Sequence, residues 1–223
     1  MGGLKHGVAT TFENRTLKLS FAGAESIERN FSQAGQDLFV LSMLDGKREG
    51  TFLDLGCNQP ILINNTYLLE SGFGWNGLSV DIDEQYFDLF VFRNSKTLAA
   101  DCTKLDWQAI VDLLGTRSID YLSLDLEPPE VTLECLKTIP FDLVEFSVIT
   151  FEHDAYRAGD VVRTPSRKLL EESGYFRICS DVKVNGLEFE DWYYNPKFVD
   201  RDRVSVLSSS RESWENIVFS SIE

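Results

Sequence analysis

Histidine, paired cysteines and clustered basic residues are what this chain has little of. Only two histidines occur among its 223 residues, His6 and His153, so a histidine-rich metal centre is excluded. The four cysteines, Cys57, Cys102, Cys135 and Cys179, form no CxxC pair, and each lies in or beside an apolar stretch. They read as reduced thiols packed as small hydrophobes, not as zinc ligands or disulfides. No run approaches the roughly eighteen apolar residues of a membrane span, and residues 1–30 hold no unbroken apolar stretch of signal-peptide length. The expectation is a cytoplasmic protein with no membrane partner. Basic residues number 21 against 36 acidic ones, a formal net charge of −15. No Lys/Arg cluster offsets that charge, so nucleic acid is not an expected partner.

Phosphate-binding loops are missing as well. A dinucleotide fingerprint needs Gly-x-Gly-x-x-Gly so that backbone amides can reach a pyrophosphate. Here Gly56 is followed by Cys57, Asn58, Gln59 and Pro60, and no Gly-Lys-Ser/Thr loop occurs anywhere. What the chain does have is 43% apolar and 26% charged residues, the balance of a folded domain. Residues 1–30, polar and weakly periodic, are expected to form an N-terminal arm, and 31–223 a single domain with no repeats or linkers.

The organising stretch is Thr51-Phe52-Leu53-Asp54-Leu55-Gly56, a short apolar run closed by an acid and then a glycine. It reads as a buried parallel strand with a sharp turn at Gly56. Before it, apolar spacing from Ala34 to Leu44 predicts a helix ended by Gly46. After it, strands are predicted at 77–81, 97–101, 119–125 and 141–149. Helices are expected at 61–71, 84–93, 107–114 and 163–173, with another opened by Pro128-Pro129. Residues 175–182 and 187–194, joined by a turn holding Asn185-Gly186, predict a terminal antiparallel hairpin at one sheet edge. The class is α/β with a mostly parallel sheet.

Strands one to four all finish on an acid: Asp54, Asp81, Asp101 and Asp125. Open α/β sheets bind ligands beyond the carboxyl ends of their strands, and acceptor groups there suit a ligand that is cationic or rich in hydroxyl and amino groups. S-adenosylmethionine fits. Asp54 and the Gly56 backbone would face its methionine end, Asp81 would accept from both ribose hydroxyls, Asp101 from the adenine amine, the Cys102 amide would donate to the ring, and Asn58 would also contact the cofactor. Each acid alone could equally be a helix cap.

Ser32-Gln33-Ala34-Gly35-Gln36-Asp37, the stretch 52–60, Asn65-Thr66-Tyr67-Leu68-Leu69-Glu70 and Ser123-Leu124-Asp125-Leu126-Glu127, taken in order, resemble the signature stretches of FkbM-type S-adenosylmethionine-dependent methyltransferases. The likeness runs through Glu190-Asp191-Trp192-Tyr193 and covers roughly 31–200. It implies a class I methyltransferase (Rossmann-like) three-layer sandwich, a seven-stranded sheet whose last hairpin inserts one antiparallel strand, and O-methylation of a sugar or metabolite hydroxyl. Two positions depart from the family pattern: Pro128-Pro129 replaces a glycine after Asp-x-Glu, and Cys57 replaces a common alanine.

A hydroxyl acceptor must lose its proton while aligned with the methyl group. Asp125, Glu152, His153 and Asp154 are expected to converge beyond strands four and five. His153 could act as base, oriented by Glu152 or Asp125, or Asp125, Glu152 and Asp154 could hold Mg²⁺ or another divalent cation that acidifies the hydroxyl. Trp192, Tyr193 and Tyr194 are expected to line the acceptor side. Two other functions fit the same pattern: a non-catalytic binding module of this fold, and a nicotinamide-dependent oxidoreductase, which the missing glycines disfavour. Self-association into a homo-oligomer stays open.

Overall fold

The computed structural model describes residues 15–220. Eight strands form one sheet: β1 Thr51–Leu55, β2 Asn76–Asp81, β3 Lys96–Ala99, β4 Ser118–Leu124, β5 Glu145–Glu152, β6 Phe176–Val184, β7 Leu187–Tyr194 and β8 Ser209–Ser210. Their spatial order is β3-β2-β1-β4-β5-β7-β6-β8. The first five pair in parallel, and parallel neighbours need crossover connections over the sheet faces. Those connections are α2 Tyr67–Phe73, a 3₁₀ stretch Glu84–Phe92, α3 Trp107–Leu114 and α4 Pro129–Thr138. After β5 come α5 Ala155–Ala158 and α6 Asp160–Glu172, while α1 Gln36–Met43 precedes β1. Two short helices close the described chain, α7 Arg201–Leu207 and α8 Trp214–Val218.

The β6–β7 hairpin closes through Asn185 (φ 53°) and Gly186 (φ 82°), consecutive left-handed residues of the kind a two-residue hairpin turn demands. β7 then pairs antiparallel with β5 as well, so it is inserted between β5 and β6, as the resemblance implied. The hairpin is not the sheet's edge, because the two-residue β8 adds an eighth strand beyond β6.

Strand side chains alternate between faces, and each face has its own core. One packs Phe52, Tyr121, Val148 and Trp192 against α1, α2, α8 and, from the N-terminal segment, Phe21 and Ile27. The other packs Leu53, Leu122, Ile149 and Tyr193 against α3, α4 and α6. Residues 1–14 of the expected N-terminal arm lie outside the described residues; of the remainder, Leu17 bridges to Phe219.

Several boundaries differ from the sequence pattern: β3 ends at Ala99, which leaves Asp101 beyond it, and α6 begins at Asp160. The helix expected at 61–71 occupies only Tyr67–Phe73, because Asn64 Nδ2 donates to the carbonyls of Cys57 and Gln59 and so folds the preceding residues into a loop. Gly72 lies inside that helix, and Gly74, at φ 71°, ends it. The stretch 84–93 winds as a 3₁₀ helix capped by Asp83, whose side chain accepts from the Gln85 amide. The fifth strand begins at Glu145, since Leu143 and Val144 donate to the Pro140 carbonyl and form a turn. Its other end runs past the expected residue 149 to Glu152.

Candidate functional site

β2 lies on one side of β1 and β4 on the other, so the chain reverses direction across the sheet at β1, and the crevice opens beyond Leu55 and Leu124. Gly56 makes the turn at φ 91° with its amide bonded to the Val80 carbonyl. A Cβ at this position would stand 1.8 Å from the Asp125 carbonyl oxygen. Glycine is required twice over, by conformation and by the approach of β4.

The loop beyond Gly56 is held by a buried cation that sequence reasoning did not single out. Arg93 is 7% exposed; its Nε contacts Glu70 Oε2 at 2.9 Å, and its other nitrogens donate to Pro60 O, Asn64 Oδ1 and Thr66 Oγ1 at 2.6–3.2 Å. Thr66 in turn donates to Asp54 Oδ2 at 3.0 Å. Burial pushes the Asp54 carboxyl up to about 6, opposed by the Thr66 bond and by Arg93. Asp54 is thus enclosed under α2, 2% exposed, and it organises the loop from below. The only sequence signal for Arg93 was a lone arginine ending an apolar stretch.

Asp81 sits at the end of β2, partly exposed. Its Oδ2 accepts from the Asn58 amide and its Oδ1 from the Asp83 amide, both at 2.9 Å. Each bond uses one lone pair, and a carboxylate has about four, so capacity remains for two hydroxyl donors. Next to it Ile82 is 72% exposed, an apolar side chain beside the crevice that sequence reasoning also missed. Asp101 caps the 3₁₀ turn Cys102–Lys104: its Oδ1 accepts from the Thr103 amide and hydroxyl, and its Oδ2 pairs with Lys104 at 2.7 Å. Those bonds hold it down to about 2. Cys102 is buried, its carbonyl accepting from the Cys135 thiol at 3.3 Å, and burial pushes its own thiol well up.

Beyond β4 and β5 the structure brings Asp125 and Glu152 together. Burial raises both carboxyls first, and the Asp125 charge beside it raises Glu152 further. Glu190, directly opposite Glu152 on β7, adds a third buried carboxyl, raised first by burial, which accepts from Trp192 Nε1 at 2.6 Å. Glu127, Glu152 and Asp154 each offer an oxygen within 4.8 Å of the others'. That convergent trio differs from the expected Asp125, Glu152, Asp154 by one member, because Asp125 is turned to Glu152.

His153 does not join them. Neighbouring strand residues point to opposite faces, so Glu152 faces Asp125 while His153 turns to the α6 side. There it is fully buried, with Nε2 3.4 Å from Asp191 Oδ1 and Nδ1 accepting from the Ala155 amide at 3.1 Å. Asp191 is also bonded by Arg167 and by the Asp181 amide. Burial would raise its carboxyl, but Arg167 and His153 override that and hold it low.

The aromatic expectation fails at Trp192. Its ring is fully buried and stacks on Phe39 of α1 with centroids 4.3 Å apart; Tyr193 is fully buried on the other face, and only Tyr194 is partly exposed. Among the described residues no helix is long and apolar enough to cross a membrane.

No protein-family model matches the chain, and no curated protein matches it. Solved structures do. A Clostridium thermocellum protein described provisionally as an rRNA methylase is 15% identical over 73% of this chain and 95% of that chain, with a TM-score of 0.52. An rRNA methylase from Streptococcus thermophilus (14% identity, 73% and 95% covered) and a protein from Streptococcus mutans described provisionally as a methyltransferase and holding SAH (14%, 70% and 94%) give lower TM-scores of 0.47 and 0.46. At such identities the first of these likenesses is one of architecture: the chain has the Rossmann-like methyltransferase fold.

Proposed function

We propose that the chain binds S-adenosylmethionine at the Gly56 turn and transfers its methyl group to a hydroxyl of a sugar or small metabolite, as the FkbM-like motifs imply. The observation that carries this reading is Asp81. It stands at the end of β2 beside the Gly56–Asn58 turn, with lone pairs left for a ribose diol and the exposed Ile82 next to it as an apolar face for adenine. Asp101 and the Cys102 amide, at the end of β3, would meet the far edge of the base.

S-adenosylmethionine bound there would supply an electrophilic methyl group to the acceptor hydroxyl and would leave as S-adenosylhomocysteine. The hydroxyl proton passes to the Asp125–Glu152 pair, whose raised affinity for a proton suits a general base. His153, on the other sheet face, has no part in this step.

Calorimetry of the full chain with S-adenosylhomocysteine tests the reading. Binding is expected, and Asp81→Ala should weaken it by about 1.5–3 kcal/mol, the range for charge-assisted bonds. Unchanged affinity in that variant refutes the assignment. Asp125→Asn and Glu152→Gln should lower kcat by about a hundredfold or more, as loss of a positioned base does, while cofactor affinity stays within about 1 kcal/mol.

A further inference from the structure

Among the described residues β3 ends the sheet, with β2 on one side of it and no strand on the other. The Ala100 amide donates to the Asp81 carbonyl, so by alternation Leu98 also turns its backbone groups to β2, while Thr97 and Ala99 turn theirs to the open edge. A free strand edge pairs readily with another strand, and proteins commonly guard it with an outstretched lysine. Lys96 does not stand guard here, because its Nζ bends back to the Leu113 carbonyl at 2.7 Å. The 3₁₀ stretch that leads into β3 and lies against it is apolar on its outside, with Leu89 50%, Val91 76% and Phe92 81% exposed. Of the nine large apolar side chains that stand open among the described residues, four lie between β2 and β3, and a fifth, Leu113, is the residue that holds Lys96. Such a concentration marks an interaction surface.

We propose that the β3 edge pairs antiparallel with the same edge of a second copy, giving a two-fold dimer whose sheet runs unbroken through both chains. Backbone chemistry favours a strand as the occupant, since only a strand offers amides and carbonyls in the spacing that Thr97 and Ala99 present. Geometry makes that strand β3 itself. The register that uses both outward residues sets Thr97 against Ala99 of the second copy and Leu98 against its own counterpart on the two-fold axis, the self-complementary contact that such symmetry requires. In that register Lys96 lies opposite Ala100 and Ser95 opposite Asp101, so no like charges meet. Charge points the same way: two chains of net charge −15 repel, and they can meet only over a surface poor in acid. Residues 89–100 hold no Asp or Glu, and Arg93 within them is paired with Glu70. The same net charge disfavours an anionic membrane as the occupant. This contact does not rest on the methyltransferase reading, because it uses neither Asp81 nor Asp125.

Sedimentation equilibrium of the full chain between about 1 and 100 µM tests the proposal, and a reversible dimer with a micromolar Kd is expected. Phe92→Asp, a change at an exposed side chain, should raise that Kd about tenfold or more. Thr97→Pro should act in the same direction, since it removes an outward N–H that an isolated edge strand can spare. Leu98→Cys reads the register directly: residues facing each other across the axis lie within disulfide reach, so mild oxidation should link two chains through this position. Thr97→Cys is the control, because its two copies would stand farther apart than the roughly 7 Å that a disulfide can bridge. Circular dichroism confirms that each variant is folded, and if Thr97→Pro is not, Phe92→Asp and the cysteine pair carry the test. A chain that stays monomeric throughout the range overturns the proposal. A dimer that survives Phe92→Asp unweakened overturns it too, as does one in which Leu98→Cys fails to cross-link or Thr97→Cys links as readily. Flotation with phosphatidylcholine vesicles covers the other occupant: a monomer that binds them and loses that binding in Phe92→Asp would assign the surface to lipid and overturn the dimer.

Discussion

Gly56 carries a double constraint, and its replacement shows how much of the site hangs on one backbone position. In Gly56→Ala, a side chain would occupy a left-handed conformation and press its Cβ to 1.8 Å from the Asp125 carbonyl. The β1 turn and the start of the β4–α4 turn would have to part. Strain and overpacking of this kind cost about 2–4 kcal/mol together. Urea unfolding should register that loss, and calorimetry should show S-adenosylhomocysteine binding gone even where the variant stays folded. Binding at full strength would mean that the turn does not face the cofactor. The glycine was legible from its place after an apolar run ending in an acid. Its close approach to β4 was not, because 69 residues separate the two and only the sheet order brings them together.

At the scale of an element, the loop between β1 and α2 is shaped by Arg93, which arrives from the segment before β3. The guanidinium bridges Glu70 on α2 to Pro60, Asn64 and Thr66 in the loop. Arg93→Met would strand Glu70, 5% exposed, without its charge partner, although the Asn94 and Ser95 amides would still donate to it. Breaking a buried pair from one side costs about 3–5 kcal/mol. Adding Glu70→Leu should return part of that loss, and a double-mutant cycle on unfolding free energies measures the coupling. A purely additive result would show that the pair is not coupled. Alternation along β5 is the other decision made at this scale. Glu152 and His153 are neighbours in sequence, yet they serve opposite faces, one meeting Asp125 and the other Asp191.

For the whole molecule, six buried carboxyls bias stability toward mild acid. Asp37, Asp54, Asp125, Glu152, Asp154 and Glu190 are all raised, in each case first by burial. A carboxyl whose folded pKa lies above its unfolded value takes up a proton on folding. Its contribution is therefore present below about pH 4 and lost as pH rises through the folded value, about 6 for Asp54 and Asp154. Unfolding free energy should fall between pH 4 and 7, with Asp54 alone accounting for about 3 kcal/mol of the slope. Asp54→Asn should flatten that slope in urea titrations at pH 5 and 7.5. A wild-type stability that rises across this window would contradict the assignment of these groups.

Sequence alone determined the alternation of strands and helices, the acids at the strand ends, the Asn-Gly hairpin and the glycine turn, because each is a local matter of periodicity, turn chemistry or chain reversal. Trp107–Leu114 could be read to the residue, since an Asp cap and a terminating glycine bracket it. Tertiary structure decided which of those acids share a space. Asp54 went beneath a helix and Asp101 to a local cap, while Asp125 met Glu152 and His153 was turned away. Trp192, amphipathic in isolation, was claimed by Phe39 from a helix some 150 residues earlier. Burial, register and pairing between distant segments set these outcomes, and none of them leaves a trace in the spacing of residues along one strand.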